Sequence, residues 1–315
     1  LAYFLLEKEE KMIIPMLCTL NILLADDGSK HSQAAVQLLE DLRLDEESCI
    51  MALRVFTPTD TSKVWAIENA LEVTVEKLKN QGKCISSKLL LGHPAETIIE
   101  VAKNHQASMI VIGAKGLRAT LGILLGGVVQ QVTEHAQRPI LVVRAPYTGL
   151  KRVLLTVDGS EESNKMLHCI GDFPFPADTK FDILHISPPV PSEQELMQLQ
   201  YQTSTLDASY IVPIDKIREE TKKRAKREEE AGKKILADAR KNLQEKGIDA
   251  QISLISGDGA TEIIHYAKDQ DIDLIVCGGR GLGPVRSWIL GSVSRKLLHY
   301  APCSVLVVKG NDEDA

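Results

Sequence analysis

The sequence predicts an α/β protein made of two tandem doubly wound units, each an open five-stranded parallel sheet with helices on both faces. Three observations carry that expectation. Short bounded runs of Val, Ile and Leu alternate with longer stretches whose apolar residues recur at helical spacing. Two of the short runs end in a glycine-rich loop, Gly113-Ala114-Lys115-Gly116 and Gly278-Gly279-Arg280-Gly281. The loops are also copies. Residues 113 and 278 lie 165 apart, and so do Gly126 and Gly291, each ten residues after its loop's second glycine. The same shift lays Gly92-His93-Pro94-Ala95 over Gly257-Asp258-Gly259-Ala260, and 140–144 over 305–309. One unit is written twice, over 16–146 and 151–310.

In the first unit, 21–25 is the opening strand and runs into Asp26-Asp27-Gly28-Ser29. Ser29 or Asp27 can cap a helix whose apolar side is Ala34, Ala35, Leu38, Leu39 and Leu42. The second strand is 49–56, ended by Pro58. Helical spacing of Val64, Ile67, Leu71, Val75 and Leu78 predicts a helix over 64–81. Strand 85–91, helix 95–105, strand 109–112, the glycine loop, helix 127–135 and strand 140–144 complete the unit. The second unit repeats this from Arg152, with Asp158-Gly159-Ser160 in the place of Asp27-Gly28-Ser29. That pair lies 131 apart rather than 165, so the second unit holds extra chain within 188–247. There, 215–246 reads as one long helix with an apolar stripe, Ile235, Leu236, Ala239 and Leu243, that should dock on the sheet. Residues 219–230 are almost all charged and read as a solvated extension.

Composition narrows the classes. Of 315 residues, 44% are hydrophobic and 25% charged, as in soluble globular proteins with ample core. A net charge of −6 argues against general nucleic-acid affinity. The six cysteines show no metal spacing, and Cys49, Cys84 and Cys277 are expected to be buried thiols of a reducing cytoplasm. Residues 1–6 are apolar but too few to cross a bilayer, so neither signal nor membrane helix is read, and Met12 or Met16 would serve as the natural start.

In an open parallel sheet, ligands bind beyond the carboxyl ends of the strands where the strand order reverses. The residues at those ends are Asp27, Val55 and Gly113 in the first unit, and Asp158, Ile186 and Gly278 in the second. Glycines let backbone amides crowd an anion, and the helix start adds unpaired N–H groups and a positive dipole end. An aspartate, a glycine loop and a helix N-terminus together suit a nucleotide. His185, ending a strand, is expected to be packed or exposed rather than catalytic.

These residues resemble the universal stress protein family, specifically its ATP-binding branch, whose signature is Gly-x2-Gly-x9-Gly-[Ser/Thr]. Gly278, Gly281, Gly291 and Ser292 match it in full. Gly113, Gly116 and Gly126 match, but Gly127 departs at the Ser/Thr position. Residues 291–294 and 299–308 look like the family's C-terminal run. The resemblance implies a sheet order of 3-2-1-4-5 in each unit and pairing of strands 140–144 and 305–309 between units. It also implies that Asp158 and the backbone near Ile186 hold adenosine, that the glycine loop and Ser292 hold phosphates, and that Val293 and Ser294 line the site. The matching first-unit set is Asp27, Val55, Gly113, Gly116, Gly126, Gly127 and Val128. The ligand so implied is ATP, ADP or AMP, with Mg²⁺ as a companion of the phosphates, in a cytoplasmic stress-response sensor or switch that also allows a homodimer. No Walker A lysine and no Gly-x-Ser-x-Gly elbow is present, so no enzyme activity beyond slow ATP hydrolysis is expected. A dimerisation scaffold without nucleotide is the alternative.

Overall fold

The computed structural model describes residues 20–57, 64–79, 84–116, 124–191, 194–195, 197–198, 201, 214–281 and 290–309. The first half contains β1 (Asn21–Ala25), α1 (Lys30–Asp41), β2 (Cys49–Phe56), α2 (Val64–Lys79) and β3 (Cys84–Leu91), followed by α3 (Pro94–Asn104), β4 (Met109–Gly113), α4 (Gly127–His135) and β5 (Ile140–Val143). The second contains β6 (Arg152–Thr156), α5 (Glu161–Gly171), β7 (Lys180–Ser187), α6 (Ile214–Glu245) and β8 (Ala250–Ser256), then α7 (Gly259–Asp269), β9 (Leu274–Gly278), α8 (Ser292–Tyr300) and β10 (Ser304–Val308). The strands form one ten-stranded sheet in the order β3-β2-β1-β4-β5-β10-β9-β6-β7-β8. Each half therefore has the 3-2-1-4-5 order.

All pairings are parallel except the one at the centre, where β5 and β10 run antiparallel. Val142, Leu141 and Ile140 face Val305, Leu306 and Val307 there. Both strands are fully buried, so each covers an edge that its half would otherwise leave open to aggregation. Leu141 and Leu306 are equivalent in the repeat and directly opposite in the sheet. A pseudo-twofold axis therefore passes through that pair, perpendicular to the sheet, and keeps each face of one half on the same side as in the other.

The faces carry separate cores, each continuous across both halves. One packs Leu38, Leu39, Leu71 and Leu78 with Leu167, Leu236 and Leu243, beneath α1, α2, α5 and α6. The other packs Ile98, Val101, Val129 and Val132 with Ile263, Ala267, Leu297 and Leu298, beneath α3, α4, α7 and α8. Both faces of the parallel strands are covered, which is why their sequences are continuous apolar runs rather than alternating ones.

Some details differ from the sequence reading. The cap of α1 is Ser29, whose side chain accepts from the Ser32 N–H, while Asp27 accepts from the Ser29 N–H in the turn before it. Cys277 and Cys303 are buried, but Cys84 is exposed and Cys49 half-exposed. The reason is position: Cys84 opens β3, an edge strand, and Cys49 is its register partner in β2. Helix α6 is continuous from Ile214 to Glu245, with Leu236, Ala239 and Leu243 buried against the sheet. Along its charged stretch, i,i+4 pairs such as Lys223–Glu219 and Lys233–Glu229 lie in solvent. Residues 202–213 of the excursion, 117–123, 282–289 and the apolar 1–6 stretch lie outside the described residues. No helix among the described residues is long and apolar enough to cross a membrane.

Candidate functional site

The second half's site is built from three strand ends. After β6 the chain turns at Gly159, whose φ of +78° is costly for any residue with a Cβ. Ser160 then caps α5 by accepting from the Ser163 N–H at 3.1 Å. Asp158 is fixed by the same turn, its Oδ1 accepting from the Ser160 N–H at 2.9 Å. Its Oδ2 faces the glycine loop. A Cβ built on Gly281 would lie 2.5 Å from that oxygen, so the close approach of loop and carboxylate requires glycine there.

The loop is anchored behind. The Gly279 N–H donates to Val308 O at 2.7 Å, and the Gly291 N–H to Gly279 O at 2.8 Å. Ser294 Oγ donates to Gly278 O at 2.7 Å. These bonds bring the start of α8 against the loop, with Gly291 as N-cap and Ser292 as its first residue. Helix starts carry unpaired N–H groups, so anion-binding donors gather here.

Together these elements enclose a cleft of about 550 Å³. Asp158, Ile186, Gly278, Gly281, Gly291, Ser292, Val293 and Ser294, the whole second-half set expected from the sequence, line it. Val157, Leu184, Ile263 and Leu290 add apolar wall. Among the described lining residues, Asp158 and Arg280 carry charge. The Cys277 thiol also lines it, but burial pushes its pKa up to about 12, so it stays protonated and inert.

Arg280 is the residue the sequence reading passed over. It stands inside the quoted glycine motif, and its first-half counterpart Lys115 is also cationic. A cation repeated between the two loop glycines was the available signal. His185 is not in the cleft lining. It is buried, with Nδ1 2.7 Å from Val157 O.

The first half repeats the frame. Asp27 Oδ1 accepts from the Ser29 N–H at 3.0 Å, and a Cβ on Gly116 would lie 2.6 Å from Asp27 Oδ2. Ser29 Oγ also donates to Lys115 O at 3.0 Å. The Gly126 N–H donates to Ala114 O at 2.9 Å, so α4 meets its loop as α8 does. Gly113 packs directly on the backbone of His31 and Ser32. Gly127 faces open space, Val128 is exposed, and Val55 is half-buried against the core. His31 Nδ1 accepts from the Ala145 N–H at 2.9 Å, and burial, then Lys115 and Arg144, lower its pKa.

Beneath this first site lies a buried polar cluster that the sequence reading missed. The Asp26 carboxylate accepts from Arg54, from Ser32 Oγ, from Thr74 Oγ1 at 3.0 Å and from the Gly28 N–H at 2.9 Å. Arg54 also donates to Asp26 O and Ile67 O. A lone arginine inside the apolar run 49–56 was its signal, because a buried charge needs a partner.

The sequence profile of the Universal stress protein family matches residues 19–144 and again 149–309. The chain belongs to the universal stress protein family. Universal stress protein YxiE of Bacillus subtilis is 33% identical over 161 residues, which cover 50% of this chain and 98% of that protein. A universal stress protein of Mycolicibacterium smegmatis is 26% identical over 251 residues, covering 78% of this chain and 76% of its own. Among solved structures, a universal stress protein from Archaeoglobus fulgidus superposes with a TM-score of 0.63 at 19% identity, over 95% of this chain and 100% of that one. The shared fold thus extends over both units, and the tandem arrangement is part of it.

Proposed function

We propose that this universal stress protein binds ATP, or another adenine nucleotide, in the second-half cleft, and acts as a nucleotide-responsive switch in a stress response. Each half, 16–146 and 151–310, is one nucleotide-binding domain, and the first is the weaker. The observation that carries the reading is convergence. Eight residues expected from motif, strand end and family resemblance, drawn from three separate stretches of chain, line one cleft. Its volume falls in the range of small-molecule sites, roughly 300–1,000 Å³. In this reading Asp158 and the backbone at Ile186 hold the nucleoside, with Val157, Leu184 and Ile263 as apolar wall. The loop amides, the Ser292 hydroxyl and Arg280 receive the phosphates, and Mg²⁺ accompanies them.

Asp158 is tied into its own turn, so it suits the holding of a ligand better than proton transfer. The switch therefore works through occupancy rather than turnover. The five described cysteines are free thiols, in keeping with a reducing cytoplasm.

The test is direct. Protein purified without added nucleotide is denatured, and the released small molecules are identified by mass spectrometry. The stripped protein is then titrated with ATP. An adenine nucleotide in the released fraction, and saturable binding abolished by Gly281→Val, are expected. Absence of both release and binding at millimolar ATP would overturn the reading and leave the paired-sheet scaffold in its place.

A further inference from the structure

The cations that end the two central strands reach across the molecule. Arg144, immediately after β5, donates from Nη2 to Leu298 O at 2.7 Å and His299 O at 3.2 Å, near the end of α8 in the other half. Its Nη1 donates to Leu124 O at 3.3 Å, just ahead of α4 in its own half. Lys309, its counterpart after β10, makes the mirror contact. Nζ donates to Thr133 O at 2.6 Å and Ala136 O at 2.7 Å, at the end of α4.

These contacts matter because of what they hold. The last carbonyls of a helix lack intrahelical partners and carry the negative end of its dipole, so a cation there is favourable. Helices α4 and α8 have nine residues each, too few to persist without outside support. Their opposite ends, Gly126-Gly127 and Gly291-Ser292, face the glycine loops. Lys309 also touches the second loop. A Cβ on Gly279 would lie 3.0 Å from Lys309 Cγ, and the Gly279 N–H bonds to Val308 O beside it. One side chain thus packs on the second half's loop while gripping the first half's helix.

We propose that Arg144 and Lys309 are reciprocal positioning residues, each fixing the glycine-loop helix of the opposite half, so that each candidate site is completed by both halves. The two grips differ in one respect. Burial, and then the nearby Arg280, bring the Lys309 pKa down to about 8, with Glu134 of α4 opposing. His135, on the same turn of α4, is exposed. Burial also lowers Arg144, whose guanidinium nevertheless keeps its charge throughout this range. A lysine with a depressed pKa loses its charge as pH rises through that value. The hold on α4 therefore weakens between pH 7 and 9, while the hold on α8 does not.

The first readout needs no ligand. Amide hydrogen exchange, corrected for the intrinsic effect of pH, should rise in α4 but not α8 for Lys309→Met, and more in α8 than in α4 for Arg144→Met, whose Nη1 also bonds Leu124 O. The expected rise is about 2–10-fold, the scale of a helix-end charge interaction. Lys309→Arg should restore protection and remove the loss between pH 7 and 9. The second readout rests on the nucleotide reading: in a Gly281→Val background, Lys309→Met should weaken ATP binding at the first site by about the same factor. Helix responses without ATP binding in any variant would sink the nucleotide reading and leave the positioning role standing. Unchanged exchange in the capped helix, or an equal rise in both helices that arginine fails to rescue, would overturn the positioning role.

Discussion

Beneath the turn that follows its first strand, each half is built from opposite materials. In the first half Asp26, Arg54 and Thr74 form a buried charged cluster, with Asp26 4% and Arg54 6% exposed. In the second half the same places hold Val157, His185 and Ala239, and the His185 ring bonds the backbone of Val157 and packs on Gly232 of α6. The correspondence follows from register: Asn21 pairs with Cys49 as Arg152 pairs with Lys180, and both pairs stand 131 apart. Thr74 and Ala239 lie on the equivalent helices, flanked by the matching leucines 71 and 236, and 78 and 243. What the fold demands at this point is closure. A complete ion pair satisfies it, and so does an uncharged floor whose one polar ring bonds the backbone. The choice affects the neighbouring site, because Arg54 comes close to Gly28 under the first loop, whereas Val157 gives the second cleft an apolar wall.

The largest effect should come from breaking the charged floor. Asp26→Ala leaves Arg54 buried without its carboxylate and should cost about 3–5 kcal/mol in urea unfolding. The combined change Asp26→Val, Arg54→His, Ile67→Gly, Thr74→Ala copies the second half's floor, including Gly232 beneath its histidine, and should recover part of that. If the combined variant is no more stable than the single one, the two floors are not interchangeable. Next in size is the loop asymmetry. Ser292 adds a hydroxyl that Gly127 lacks, and a hydrogen bond to a charged phosphate contributes about 1.5–3 kcal/mol. Ser292→Gly should weaken ATP binding at the second site about 10-fold, near the lower end of that range. Gly127→Ser should strengthen the first site. Isothermal titration finding the first site tighter in the unchanged protein would show that pocket shape, not the hydroxyl, sets the order.

A smaller contrast lies at α3 and α7. Asp258 caps α7, accepting from the Thr261 N–H at 3.1 Å, while the equivalent His93 makes no side-chain cap on α3. Asp258→Ala should cost about 1 kcal/mol and His93→Asp should gain a similar amount, read from thermal midpoints. The bonds to Thr261, and then Lys296, lower the Asp258 pKa. For a depressed carboxylate the stabilisation is present above the unfolded pKa and disappears as pH falls through the folded one. The difference between Asp258→Ala and the parent should therefore shrink as pH falls below about 4. Smallest of all is Glu229→Gln on the charged stretch of α6, which loses a pair exposed on both sides. Its thermal midpoint should match the parent's, and a clear drop would mean that this stretch is held by more than solvent.

Local chemistry was legible in the sequence, and contacts between distant stretches were not. Bounded apolar runs located the strands, and the repeat offset aligned the loops, because both signals are written in consecutive residues. The pairing of 140–144 with 305–309 was also expected, through the family resemblance and two apolar strands in need of cover. Arg144 and Lys309 were visible as cations ending those strands. Their partners, the far ends of α8 and α4, became evident only with the antiparallel register. Asp26 was hidden beside Asp27, whose motif drew the attention. Cys84 was misjudged because an apolar run gives no sign of whether its strand is central or at the edge.

The antiparallel seam between β5 and β10 settles where the two glycine loops lie. Within each half the strands run parallel, so the loops beyond their carboxyl ends lie along one border of the sheet. Crossing the seam reverses the strand direction, and the second half's loops lie along the opposite border. The two candidate sites therefore lie at opposite borders of one shared sheet, facing away from each other.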